Sequence, residues 1–173
     1  MAIYSFEGKV PKIDQTAFVH ETANITGDVV ISRECYIGAG AIIRGDYGSI
    51  RVGPGTAIEE GCIIHCPPGE ICEIGKSVIF GHGAIVHSSK IEDFAVVGMG
   101  AVVSIHAVVG EWTILGEGAV VVENQKVPSR KVLVGNPAKV IGEVTEEHME
   151  KWAYGKKMYV ELCSRYRQGL KRL

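Results

Sequence analysis

Apolar residues recur along this chain every six positions. They fall at Val19, Ile25, Ile31, Ile37 and Ile43, then at Val52, Ile58 and Ile64, then at Ile74, Phe80 and Val86, and finally at Ile91, Val97, Val103, Val109, Leu115 and Val121. These seventeen repeats form four blocks separated by three shifts of phase, and a fixed period of this kind decides architecture before local propensity does. Two positions before most anchors stands a small or β-branched residue, as at Ala23, Val29, Cys35, Ala41, Cys62, Cys72, Ala84, Ala95, Ala101, Ala107 and Ala119. Residues two apart on a strand face the same way, so anchor and small residue both point inward. Glycines follow anchors at Gly38, Gly53, Gly75, Gly81, Gly98, Gly110 and Gly116, which reads as corners needing φ > 0. Short strands joined by tight corners stack into a solenoid with rungs about 4.8 Å apart.

The period stops after Glu123, and Pro128 and Pro137 lie in polar sequence beyond it. Three segments are therefore expected: 1–124 as solenoid with a short N-terminal lead, 125–144 as an irregular connector, and 145–173 as a helix packed on the solenoid. Thr145 suits an N-cap, with Glu146 and Glu147 in the first turn and Arg165, Arg167, Lys171 and Arg172 at the far end. Met149, Trp152, Tyr159, Leu162, Tyr166 and Leu170 make one apolar stripe, which Gly155 is placed to interrupt.

Composition agrees with the pattern. Ile and Val together number 41 against five Leu, and Gly numbers 22 of 173, so most of the chain favours strands and turns. A chain of this length can bury a core without metal or disulfide staples, so a metal here would serve function. The formal charge of -2 offers no attraction to phosphate backbones or anionic membranes, which speaks against nucleic-acid and membrane partners. The first residues lack the basic and apolar regions of a signal peptide, and a cytoplasmic location is expected. Five cysteines without a CxxC pair fit reduced thiols. The Gly-x-Gly pairs at 38–40, 53–55, 81–83, 98–100 and 116–118 occupy repeat corners and open no helix, so they are structural rather than dinucleotide loops.

With three repeats per coil, Ile43, Ile64, Val86, Val103 and Val121 share one face. The residues after the first three anchors, Arg44, His65 and His87, then form an outward column on successive rungs, where two imidazoles can converge on one ion. His82 lies across a corner from His87, about 16 Å away along an extended chain, too far to join them within one molecule. The outward residues before the anchors on this face are Ile42, Ile63, Ile85, Val102 and Val120, an apolar column that needs covering. A cyclic homotrimer would cover it and bring His82 of one subunit to His65 and His87 of the next. The competing cover is the C-terminal helix, which would leave a monomer. His20, His106 and His148 read as ordinary surface residues.

The period resembles that of hexapeptide-repeat left-handed parallel β-helices, and the histidine spacing resembles the γ-class carbonic anhydrases. The resemblance runs through His65, the His-x4-His pair His82 and His87, Arg44-Gly45-Asp46, the stretch Gly135 to Lys139 and the terminal helix. The stretches 6–8, 44–48 and 97–99 are most like the subgroup from carnitine and phenylacetate operons. The resemblance implies a metal held by His65, His82 and His87, either zinc (Zn2+), Fe(II) or Co(II). It implies reversible hydration of CO2 to bicarbonate by hydroxide formed on that metal. It also implies an interface ion pair of Arg44 with Asp46, and Tyr159 near the pocket. Where the family has a glutamine this chain has Glu59, whose charge opposes ionisation of the metal's water unless it is protonated or acts as the base. The family's acidic proton-shuttle loop is replaced by residues 66–70, with Glu70 its first carboxylate. Rival readings on the same fold are an acyl-CoA thioesterase, an acyltransferase, and a metal-binding scaffold without catalysis. Insertions of only three or four residues between repeat blocks speak against the acyltransferase.

Overall fold

The computed structural model describes residues 2–173 and contains a left-handed parallel β-helix of about seven coils followed by one helix. Strand partners lie eighteen residues apart wherever neither an insertion nor a deletion intervenes, as in Phe18 with Tyr36, Val102 with Val120 and Ile114 with Val132. The anchors fill the interior: Ile25, Ile37, Ile43, Ile58, Ile64, Phe80, Val97, Val103, Val109 and Val121 have no solvent exposure. The small residues beside them, Ala23, Cys35, Ala41, Cys62, Cys72, Ala95 and Ala101, are equally buried and leave room for the anchors of adjacent faces. All five cysteines are buried and unpaired.

Three findings correct the sequence reading. The glycines that follow the anchors do not carry positive φ; that conformation lies two residues further on, at Gly40, Gly55, Gly83, Gly100 and Gly118, and at Ser77 and Trp112 in the coils that lack a glycine there. Gly38, Gly53 and Gly98 are needed for close approach instead, because a Cβ at any of them would lie 2.5–2.7 Å from the backbone of the next rung.

The solenoid also outlasts Glu123. Val127 and Leu133 extend the same six-residue period and are buried, so 125–144 is no irregular connector. Strand Lys126–Val127 pairs with Val108–Val109, and Lys131–Val134 with Ile114–Leu115. The chain then turns through a cis Asn136–Pro137 bond and returns antiparallel as strand Lys139–Glu143. The turn covers the end of the preceding face: Val120 N–H donates to the Gly135 carbonyl (2.9 Å) and Ala138 N–H to the Val120 carbonyl (2.7 Å). The N-terminal lead is likewise a rung, with Ala2–Tyr4 parallel to 24–26.

The helix spans Glu146–Gly169 without a break at Gly155. Thr145 accepts from the His148 N–H while the His148 ring accepts from the Thr145 N–H, a reciprocal cap. Trp152, Tyr159, Leu162, Cys163 and Tyr166 pack on Phe18, Tyr36, Ala57 and Ile79, whereas Leu170, assigned to the stripe, is exposed. The packing surface belongs to the face of strands Phe18–Val19, Tyr36–Ile37, Ala57–Ile58 and Ile79–Phe80. The helix therefore does not cover the column Ile42, Ile63 and Ile85, whose members stay 40%, 38% and 40% exposed.

Candidate metal centre

Strands Ile42–Val52, Ile63–His65 and Ile85–His87 pair in register, placing Arg44, His65 and His87 side by side on successive rungs. Buried Ile43, Ile64 and Val86 fix this register from inside, since a one-residue slip would turn every anchor outward. The His65 and His87 rings stack with centroids 5.0 Å apart and planes 12° from parallel. His65 Nε2 is buried without a hydrogen-bond partner; the nearest carboxylate oxygen, Asp46 Oδ1, stands at 3.5 Å. Burial pushes the His65 pKa down, and the Arg44 charge and His87 add to this, so the ring favours its neutral, ligating form. Arg44 donates to Asp46 Oδ2 (2.6 Å) within the same chain. Burial works against the Asp46 carboxylate, yet the Arg44 bond and the Tyr47 N–H together hold it below the usual carboxylate range.

His82 stands apart, at the corner before Ile85–His87. Its Nδ1 meets Glu60 Oε2 (2.8 Å), and its Nε2 and backbone N–H each lie 3.2 Å from Glu59 Oε2. Tyr36 donates to Glu60 Oε1 (2.7 Å). Tyr159 reaches the same corner; burial raises its phenol pKa, and a hydrogen bond to Glu59 raises it further. Glu59 is only 6% exposed, and within one chain it lies against His82 rather than beside His65 and His87. Among the described residues, the ligand-type atoms that converge within 4.8 Å belong to Glu59, Glu60 and His82. One chain thus carries His65 and His87 on one side of a corner and His82 on the other.

An open concavity of about 550 Å3 lies over the histidine column, lined by Arg44, Ile63, His65, Ile85, His87 and Glu123 among others. A larger one, about 620 Å3, lies by Phe18, Tyr166 and the end of the helix and holds none of the expected ligands. Sequence reasoning passed over the residues beside His87. Ser88 donates to Glu70 Oε2, and the other oxygen of Glu70 meets His106 Nε2 at 2.8 Å. Glu70, Ser88 and His106 are spaced by eighteen residues, one coil each, so counting rungs would have found them. Cys66, next to His65, is fully buried, and burial raises its thiol pKa, which marks it as inert.

No protein-family model matches the chain. Carnitine operon protein CaiE of Salmonella newport is 38% identical over 172 residues, covering 98% of this chain and 86% of the relative. The chain belongs to the hexapeptide-repeat family of CaiE. Two solved structures share the CaiE-family fold, each at 33% identity. One is a Bacillus cereus protein provisionally named an acetyltransferase, with TM-score 0.92 over 96% of this chain and 97% of that one. The other is a hexapeptide transferase family protein from Anaplasma phagocytophilum, with TM-score 0.91 over 95% and 98%. No helix among the described residues is long and apolar enough to cross a membrane.

Proposed function

We propose that this CaiE-family chain forms a homotrimer that hydrates CO2 in the manner of a carbonic anhydrase, at metal centres shared between neighbouring subunits. The observation that carries the reading is His65 Nε2, a buried imidazole nitrogen without a partner, stacked against His87 on the next rung. A buried polar atom left unpaired is costly, and a metal ion on it removes the cost. The residues fit such an ion: two imidazoles on one subunit face outward, and His82, 55% exposed, offers the third from a neighbour. When bound, zinc, Fe(II) or Co(II) supplies a nucleophile near neutral pH by acidifying water.

The chain's own groups have separate tasks in this reading. Ile63, Ile85 and Val102 wall the concavity with apolar surface suited to CO2, and Arg44 sets a positive charge at its edge for the bicarbonate product. Asp46 holds the Arg44 guanidinium in place. Glu59, bonded to His82 and Tyr159, is the buried carboxylate positioned to take a proton at Oε2.

The names of the two solved neighbours favour a second reading, acyl transfer. Stopped-flow CO2 hydration on protein of measured metal content separates the two. With zinc, Co(II) or anaerobic Fe(II) bound, hydration is expected, and His82→Ala is expected to lose both metal and activity by roughly a hundredfold or more. Stoichiometric metal with no hydration, together with turnover of acetyl-CoA, would transfer the site to the second reading.

A further inference from the structure

At the corner opposite the histidine face, the helix lays a lysine into an aromatic wall. Lys156 is 5% exposed, and its amine is buried with no hydrogen-bond partner. Its Nζ lies 4.7 Å from the Trp112 ring centre; Trp112 stacks on Phe94 at 4.8 Å with planes 13° apart. Both aromatics occupy left-handed corner positions, φ 59° for Phe94 and 56° for Trp112, a conformation bulky residues rarely take. A cavity of about 320 Å3 opens beside them, walled by Ser77, Phe94, Trp112, Ala153, Lys156, Lys157 and Val160.

A structural role does not account for this arrangement. Methionine would fill the same space without burying a cation whose donors have no acceptor, and the ring face satisfies only part of the charge. Burial alone brings the lysine pKa down to about 8, so the amine at neutral pH is a charged group held without an anion. The lining also selects the anion. It is mostly apolar, and of its two lysines only Lys156 is buried while Lys157 is 74% exposed, which matches a monoanion with an apolar body better than a strongly hydrated phosphate dianion.

We propose that this cavity binds a small monocarboxylate with an apolar body, its carboxylate paired with Lys156 and its body against the Trp112–Phe94 stack. The site is separate from the histidine column and does not depend on the reaction assigned there.

Trp112 is its own reporter. The chain has two tryptophans, so Trp152→Phe leaves Trp112 as the sole tryptophan emitter. Octanoate is the probe and octan-1-ol its uncharged counterpart. Octanoate is expected to change Trp112 emission saturably, with half-saturation at or below about 1 mM, and to raise the melting temperature. Lys156→Met, shown to be folded by circular dichroism, is expected to weaken octanoate at least about tenfold and leave octan-1-ol unchanged. Lys157→Met, on the rim, is expected to change octanoate affinity less than about threefold. No saturable response, equal octanoate affinity in Lys156→Met, or a loss confined to Lys157→Met would each overturn the proposal.

Discussion

A lysine whose pKa falls from 10.5 to about 8 on folding binds its proton less tightly in the native state than in the unfolded chain. Between those two pH values the unfolded chain carries more protons, so this group makes stability rise with pH through the window and imposes its full cost below pH 8. Lys156→Met is expected to stabilise the protein at pH 7 by roughly 1–3 kcal/mol, the shift being partly offset by the Trp112 ring. Urea denaturation should show that gain shrinking as pH climbs from 8 to 10.5; a gain independent of pH would assign it to packing instead. At this scale the histidines were legible, because the six-residue period fixes which residues share a rung. Lys156 was legible too but was missed. The spacing Trp152, Lys156, Tyr159, Cys163, Tyr166 alternates four and three, so the lysine lies on the apolar stripe, where a charge is the exception.

The helix and the last coils show which elements a sequence reveals. The repeat was visible to Val121 because small residues precede its anchors; it became invisible at Val127 and Leu133 because Gln125 and Lys131 stand in the inward position instead. Gln125 turns that exception to use, its side-chain amide donating to the Ala138 carbonyl at 3.0 Å. The helix start was readable from Thr145, though its partner is His148 rather than an acidic residue. Thr145→Ala is expected to cost about 1 kcal/mol, measured as a lowered urea midpoint with unchanged slope. Which face the helix covers could not be read from its own stripe. It is set by the aromatic pair it meets, Phe18 stacked on Tyr36 at 5.6 Å, with Tyr166 against Phe18 at 5.0 Å.

Across the whole molecule, helix and histidine column occupy different faces, so the apolar column is free for a second copy of the chain. Ile63→Asp places a charge in its middle without touching the interior, where Ile64 carries the packing. Analytical ultracentrifugation should find the parent as a trimer and this variant as a folded monomer that has lost its metal. A monomeric parent, or a trimeric variant, would remove the shared-site reading.

The final hairpin bears on a different problem. A stack of parallel rungs has no intrinsic length, since each exposed edge offers the donors and acceptors that the next rung would use. Strand Lys139–Glu143 runs against the direction of every coil below it, and the turn before it occupies the bonding groups of Val120. On that face another molecule meets a strand of reversed polarity, which breaks the parallel register a further coil would need. The hairpin thus acts as a terminator on the faces it covers, working against continuation of a chain built like a filament.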